Sequence, residues 1–326
     1  MAETRATGMG GALKALRLRP AIRFDDVYRG LLMGAAGVVF LVVFLIAFES
    51  FMGARLSMKT IGWGFLTSTE WDPVFDRYGA LPYVVGTLAT SFLALFFAVP
   101  LGVGSAIFLA ELSSRRMGEV VSFVMELLAA IPSIVFGIWG FFILAPFLRT
   151  TIEPWLVTNL GFIPLFSGAP FGIGILNAGI ILGIMIVPTI VSISREVLLA
   201  TPKSLREASL ALGATQAESI GVALDAAKPG ILGAVILALG RALGETMAVT
   251  MVIGNTNRMP TSILDPGATM ASVIANEFTE ATGPVYLSAL VQISLVLFAV
   301  TIVMNALARL LVYWTTGGRR DTAGAV

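Results

Sequence analysis

Six long apolar stretches set the strongest constraint on what this chain can fold into. They cover approximately residues 31–48, 81–110, 120–148, 172–199, 231–254 and 285–313. About 20 predominantly apolar residues are enough for an α-helix to cross the hydrocarbon core of a bilayer. Because lipid offers the backbone no hydrogen-bond partner, each such stretch must pair its own N–H and C=O groups as a helix. The sequence therefore predicts an all-α membrane protein with six transmembrane helices.

The composition supports this class and excludes several others. Of the 326 residues, 57% are hydrophobic and 13% are charged, whereas about 25% of the residues in a soluble domain are charged. The chain contains no Cys and no His, so it lacks disulfides, thiol chemistry and the commonest metal ligand. It has no P-loop motif, and its net charge of +1 gives no indication of nucleic-acid binding. We therefore expect a chain that is not an enzyme, with no catalytic residue, metal site or cofactor.

The distribution of Lys and Arg predicts the orientation of the spans. Fifteen of the 21 basic residues are assigned to one side, with six in the N-terminal tail, two at 111–119, four at 195–230 and three at the carboxyl-terminal end (Arg309, Arg319 and Arg320). Five lie on the other side, and Arg241 lies within a stretch. Because basic loops remain in the cytoplasm, both termini are predicted to be cytoplasmic. We expect a cytoplasmic tail over residues 1–30, a transmembrane domain over 31–314 and a second cytoplasmic tail over 315–326.

Residues 49–80 join the first two stretches on the outer side and are rich in polar and aromatic side chains. The aromatic residues include Trp63, Trp71, Phe75 and Tyr78. Tyr and Trp are enriched at membrane–water interfaces. We therefore interpret this segment as an interfacial loop.

The cytoplasmic connection between the fourth and fifth stretches is polar enough to lie in water. Ser204 and Glu207 have the spacing of a capping box, and they predict the start of a short helix that Gly213 ends. A second short helix is expected over 214–223, and residues 228–230 are expected to end it before the next span. The residues alone leave two interpretations open, a solvated loop or a surface that another protein contacts.

The fifth stretch carries two charged residues, Arg241 and Glu245. A charge at the centre of a membrane helix costs roughly 2.5–3.5 kcal/mol and is usually functional. Their spacing places both side chains on one face of a continuous helix, and Arg241 follows Ile231 by about 15 Å, near the middle of the bilayer core. The pair is either a site for a polar solute, in which Glu245 holds Arg241, or a structural ion pair. Arg258, on the outer side, is interpreted as an exposed interfacial arginine.

The order Glu207-Ala208, four residues and Gly213 resembles the EAA loop of binding-protein-dependent ABC importer permeases. Longer segments resemble the phosphate permeases of the PstC type, and the likeness runs from about residue 60 to the end of the last helix. These segments cover residues 78–87, 127–146, 184–198 and 239–255. The resemblance implies a type I ABC importer permease (MetI-like) fold in the bacterial cell (plasma or inner) membrane. It also implies that the loop at about 201–223 is a coupling helix held by an ATPase subunit.

The resemblance further implies a transmembrane permease subunit that forms half of the pathway of an ATP-driven phosphate importer. Its implied partners are a second permease subunit (PstA-like), a dimer of ATP-binding subunits (PstB-like) that hydrolyses the ATP, and an extracytoplasmic phosphate-binding protein (PstS-like). Arg241 and Glu245 would line the substrate pathway, and Glu207, Ala208 and Gly213 would contact the ATPase.

Two alternatives stay open at this point. Residue spacing alone does not select phosphate over another oxyanion, such as sulfate or molybdate. A secondary transporter or a channel is the other class, although no second half of the chain repeats the helix with Arg and Glu, as the internal repeats of such transporters would require.

Overall fold

The computed structural model of the chain describes residues 24–315, and for residues 24–26 and 115 it describes the backbone alone. The predicted tails therefore fall largely outside the described residues. The helices are α1 (Phe24–Thr60), α2 (Gly64–Thr67), α3 (Leu81–Leu112), α4 (Arg115–Ala130), α5 (Ser133–Leu160), α6 (Ile175–Ala200), α7 (Lys203–Ala211), α8 (Gln216–Gly244), α9 (Met247–Val252), α10 (Met270–Glu277) and α11 (Pro284–Thr315), and the strands are β1 (Trp71–Asp72) and β2 (Arg77–Tyr78). Among the described residues, 24–49 and 50–315 form separate packing units.

Within the described residues, six helices are long and apolar enough to cross a membrane, namely α1, α3, α5, α6, α8 and α11. This confirms the prediction of an all-α protein with six transmembrane helices. The predicted bounds 172–199 and 285–313 agree with α6 and α11 to within three residues at each end. α1 extends well beyond the predicted stretch at 31–48 in both directions.

The predicted third span over 120–148 is wrong, because Pro132 separates two helices there. The ring of a proline disfavours helical backbone at the preceding residue, and Ile131 is accordingly extended, with φ −65° and ψ 128°. α4 ends before this point, and the spanning helix α5 begins immediately after it. As a consequence, Arg149 belongs to the spanning helix rather than to the outer connection, where the sequence analysis placed it.

The predicted break at 228–230 and the predicted continuous span over 231–254 are both wrong. α8 passes through Pro229, which is exposed, so the ring disturbs one turn of the helix without ending it. The helix ends instead at Gly244, and Glu245 has extended backbone with φ −69° and ψ 127°. The chain re-enters helical conformation only at α9. Glycine is a poor helix former, and this break therefore needs no proline.

α6 is the most enclosed of the six spans, with 72% of its most apolar window buried, compared with a third or less in the others. It packs closely against α3 through residues that lack side chains. A Cβ on Gly179 would lie 2.5 Å from Leu93 Cδ2, and a Cβ on Gly102 would lie 2.7 Å from Ile190 Cγ2. Small residues allow membrane helices to approach and gain van der Waals contact. α6 is therefore the most enclosed helix of the unit that begins at residue 50.

The interpretation of residues 49–80 as an interfacial loop is only partly confirmed. Trp63 and Phe75 are 87% and 72% exposed, as expected of interfacial aromatic residues. Trp71 and Tyr78 instead pair across a β-hairpin and are buried, with ring centroids 4.9 Å apart. The indole Nε1 of Trp71 donates a hydrogen bond of 2.6 Å to Glu277 Oε2. Half of the aromatic residues therefore pack inside the protein.

Candidate functional site

A cavity of about 850 Å³ lies between α6, α8 and α11. It is lined by Thr189 of α6, by Gly233, Ile236, Leu237, Gly240 and Arg241 of α8, and by Asn305 and Arg309 of α11. Its polar lining consists of two guanidinium groups, one amide and one hydroxyl. Within the described residues, no carboxylate lines it. The cavity is therefore positively charged and rich in hydrogen-bond donors, inside a region built from membrane-spanning helices.

Gly240 on α8 leaves room for the side chain of Asn305 on α11. The position that a Cβ on Gly240 would occupy is 4.0 Å from Asn305 Oδ1, so Asn305 lies directly beside that turn of α8. The amide Nδ2 of Asn305 donates a 2.8 Å hydrogen bond to the carbonyl oxygen of Thr301, one turn earlier in α11. This bond fixes the amide plane and places Asn305 at the level of Gly240 and Arg241.

Arg241 lies in the last turn of α8, and its side chain is exposed to the cavity. In the described part of the chain its guanidinium makes no ion pair and no hydrogen bond with another residue. The carbonyl end of a helix carries partial negative charge, which favours a cation in the last turn. The end of α8 therefore stabilises the arginine while its donors stay available to a ligand.

The expectation that Arg241 and Glu245 share one helical face is wrong, because α8 ends between them. Both residues are described, and no ion pair joins them. Glu245 is half-buried, and its Oε1 accepts a hydrogen bond of 3.4 Å from the backbone N–H of Ala248, in the first turn of α9. Glu245 therefore holds the turn that follows Arg241 and does not line the cavity.

The short helix predicted in this loop is present as α7, although its start differs from the prediction. The helix begins after Pro202, and no side chain caps its first turn, so the predicted capping box of Ser204 and Glu207 is wrong. Such a box does occur at the start of α8. There the backbone N–H of Thr215 donates to Glu218 Oε2 at 2.7 Å, and the N–H of Glu218 donates to Thr215 Oγ1 at 3.4 Å.

The end of α7 agrees with the prediction, and its residues face solvent. Gly213 has φ +88°, a left-handed conformation that glycine adopts without strain, and it follows the last turn as expected. Glu207 and Ala208 are exposed, and within the described side chains no residue of α7 is buried. Leu212 is 90% exposed. An apolar side chain that projects fully from a polar helix is suited to contact with another protein.

Arg206 holds α7 to the membrane helices. Its Nε donates to both carboxylate oxygens of Glu111, at 3.2 and 3.1 Å, and its Nη2 also contacts this carboxylate at the end of α3. Nη1 donates to the carbonyl oxygen of Thr201 at 3.0 Å, and Nη2 donates to that of Leu198 at 2.9 Å. These carbonyls lie at the carboxyl end of α6. Charge-assisted bonds of this kind are the strongest in proteins, so this contact fixes the position of α7.

Three functional candidates were not identified from the sequence, namely Arg206, Glu111 and Arg309. Arg206 and Glu111 are 95 residues apart, and no periodicity links them. For Arg309 a signal was available, because an arginine inside the stretch at 285–313 is costly for the same reason as Arg241. Arg258 is exposed, as predicted, and lines a separate cavity of about 480 Å³ together with residues of the β-hairpin.

Comparison with known proteins identifies the class to which this arrangement is similar. Residues 98–316 match the family described as "Binding-protein-dependent transport system inner membrane component". The chain is 46% identical to the phosphate transport system permease protein PstC of Mesorhizobium japonicum over 290 residues, which cover 87% of this chain and 89% of that protein. It is 44% identical to PstC of Haemophilus influenzae over 280 residues, with coverage of 84% and 89%.

Two solved structures are similar in fold. The inward-facing MetNI methionine ABC transporter aligns with a TM-score of 0.50 and 19% identity, covering 74% of this chain and 98% of that one. A bacterial ABC transporter that imports the acidic polysaccharide alginate aligns with a TM-score of 0.55 and 17% identity, covering 88% and 98%. At this identity the similarity concerns the fold alone. It confirms the expected MetI-like permease fold, while the side on which the termini lie stays a prediction.

Proposed function

This chain belongs to the PstC family of phosphate transport system permeases, and we propose that it is a transmembrane subunit of an ATP-driven phosphate importer. It is a multi-pass bacterial membrane protein with the fold of ABC importer permeases. The observation that carries the proposal is the similarity to curated phosphate permeases over nearly the whole length of both chains. The positively charged cavity supports it, because an anionic substrate requires a path with donors and without carboxylates.

Arg241 is the residue that we assign to the substrate. A guanidinium presents a planar fork of N–H donors that matches two oxygens of a phosphate. Because no carboxylate neutralises Arg241 in the described residues, the anion meets a free cation and does not have to displace a partner. The large, open cavity keeps the guanidinium hydrated, so binding is weak and release is fast. In this proposal Glu245 contributes to the substrate pathway by fixing the turn between α8 and α9, which determines the position of the Arg241 side chain.

The family implies that this chain works within a larger importer. We propose that a second permease subunit (PstA-like) completes the pathway, and that a phosphate-binding protein (PstS-like) delivers phosphate from outside the cell. α7 and the turn that follows it would contact a dimer of ATP-binding subunits (PstB-like) through the exposed residues Glu207, Ala208 and Gly213. Leu212 adds an apolar contact to this surface. ATP hydrolysis then takes place in the partner, and both termini of this chain lie in the cytoplasm.

The test is uptake of radiolabelled phosphate by cells that lack their own high-affinity system. The complete set of subunits is expressed with the wild-type chain or with Arg241→Gln, and sulfate is added as a competitor. We expect uptake that excess sulfate does not reduce and that falls at least about tenfold in the variant, the loss expected for one charge-assisted hydrogen bond. Unimpaired uptake in a correctly assembled variant would remove Arg241 from the pathway. No phosphate uptake by the assembled wild-type complex would move the assignment to another oxyanion.

A further inference from the structure

Arg309 is the second guanidinium of the cavity, and the proposed function does not yet use it. It is exposed and lines the cavity together with Arg241. Within the described part of the chain it makes no ion pair and no hydrogen bond to another residue. Two free guanidiniums in one cavity repel each other and cost free energy in a membrane protein, so their juxtaposition points to an anion that relieves the repulsion.

The helix geometry gives the spacing of the two groups. Asn305 lies beside Gly240, at the level of Arg241. Arg309 follows Asn305 by four residues on the same face of α11, about 6 Å further along the helix. Because α8 and α11 are consecutive spans, they cross the membrane in opposite directions. Arg309 is therefore displaced from Arg241 towards the start of α8, which is also the end where α7 lies.

We propose that Arg309 is a second anion-binding residue, which receives the oxyanion from Arg241 as it moves along the cavity towards the α7 end. A tetrahedral oxyanion about 5 Å across contacts both guanidinium forks in passing from one to the other. Asn305 and Thr189, which also line the cavity, supply neutral groups at the intermediate position. Two weak sites in series let the anion advance without a deep free-energy minimum. The identity of the anion as phosphate rests on the proposed function, whereas the anion-binding role of Arg309 does not.

An alternative role for Arg309 is that of an interfacial arginine, whose long side chain reaches the lipid headgroups. The two roles differ in the electrostatic potential inside the cavity. Because the chain has no native cysteine, Asn305→Cys introduces a single thiol whose reactivity reports this potential. The complete transporter, with partner subunits made free of cysteine, is treated with an anionic and with a cationic methanethiosulfonate reagent. The quantity measured is the ratio of the two reaction rates.

Adding Arg309→Gln to this background is expected to lower the anionic-to-cationic rate ratio by roughly fivefold or more, as Coulomb's law gives for a cation about 7 Å from the thiol in a hydrated cavity. Lys228→Gln serves as the matched control, because Lys228 is an exposed cation on α8 that does not line the cavity. Lys228 is separated from the thiol at position 305 by well over the screening length of about 8 Å. The rate ratio in Lys228→Gln should therefore stay within about twofold of that in the Asn305→Cys background. An unchanged ratio in Arg309→Gln would assign Arg309 to the lipid interface and overturn the proposal.

Phosphate uptake by complexes that keep Asn305 tests the role of Arg309 separately from the identity of the substrate. We expect Arg309→Gln to reduce uptake at least about tenfold, while the concentration of loaded binding protein at half-maximal uptake stays constant. Arg309→Lys keeps the charge without the fork and should give an intermediate rate, which also provides a readout if the glutamine variant assembles poorly. Wild-type uptake without any loss in Arg309→Gln would overturn the role of Arg309. If the wild type transports no phosphate, the proposed substrate is wrong, and the thiol ratio still decides whether the charge of Arg309 acts on anions in the cavity.

Discussion

Replacing Arg206 by Met should detach α7 from the membrane helices. Methionine has a similar length and fills the space of the aliphatic stem, but it removes the contacts to Glu111 and to the carbonyls of Leu198 and Thr201. The side chains of Arg206 and Glu111 are 19% and 9% exposed, so the pair is largely but not completely desolvated. Within the described side chains α7 has no buried residue. Packing therefore cannot compensate for the loss of this contact.

The magnitude follows from these contacts. Breaking a fully buried ion pair by removing one partner costs about 3–5 kcal/mol, because the other charge stays buried. Here the residual exposure of Arg206 admits water to the released groups, which lowers the cost. Hydrogen bonds to charged groups contribute about 1.5–3 kcal/mol each. We therefore expect local destabilisation of about 2–4 kcal/mol, which corresponds to roughly 30- to 1,000-fold more frequent opening of α7.

The assay is amide hydrogen exchange of residues 203–212 in the purified transporter, since exchange of native-state amides reports local opening. Lys203→Met is the matched control: it makes the same type of change at an exposed position of the same helix, and its exchange should stay within about twofold of the wild type. Glu111→Gln should reproduce part of the effect, because the neutral amide still accepts a hydrogen bond. Exchange in Arg206→Met within about threefold of the wild type would refute the reasoning that this contact holds α7.

Two further perturbations test the packing and the outer cluster. Gly179→Ala should destabilise the protein by about 1–3 kcal/mol, because its Cβ would lie 2.5 Å from Leu93. Gly104→Ala is the control, and it should be neutral or slightly stabilising because nothing lies within 4 Å of its Cβ position. Thermal unfolding in detergent measures both variants, and equal midpoints would contradict the close contact at Gly179. Burial, and then the hydrogen bond and charge of Asp76, raise the pKa of Tyr78 to about 12. The stability that the neutral Tyr78 side chain contributes is therefore complete below pH 10 and is lost as the pH rises through 12. Between pH 9 and pH 12, the free energy of unfolding should fall by about 2–3 kcal/mol more in the wild type than in Tyr78→Phe. Identical pH profiles of the two proteins would show that Tyr78 ionises freely.

Hydropathy predicted the number of spans but not the bounds of three of them, α1, α5 and α8. A window of mean hydropathy records that a stretch is apolar, and it does not distinguish a spanning helix from a neighbouring amphipathic one. α4 and the start of α5 were consequently joined across Pro132 into one predicted helix. Pro229 shows the opposite error, because a proline on an exposed face of α8 did not end the helix. Whether a proline interrupts a helix depends on its neighbours in the fold, which a single sequence does not display.

The candidate site was predictable where it depends on charge and not where it depends on contact. Arg241 was identifiable because a cation in an apolar stretch is costly wherever the helix packs. Glu245 was wrongly assigned as its partner, because that pairing requires a continuous helix and the chain leaves the helix at Glu245. Arg309 carried the same signal but was counted with the basic residues of the carboxyl-terminal end. The contact of Arg206 with Glu111 joins two distant segments, so only the folded structure brings it into view.

The cavity and the contact that holds α7 share one helix, and this determines how the two ends of the protein communicate. Arg206 binds the carboxyl end of α6, and Thr189 lines the cavity from the same helix about 14 Å earlier, measured from Leu198. α6 is enclosed by its neighbours, and closely packed interiors move as units instead of deforming gradually. The contact of Arg206 therefore transmits a displacement of α7 to the cavity wall through α6, in addition to the chain connection at Thr201 and Pro202 and to the hydrogen bond of 3.4 Å that Ser219 Oγ of α8 donates to the carbonyl oxygen of Arg206. Loss of the Arg206 side-chain contact weakens this transmission without altering either guanidinium in the cavity.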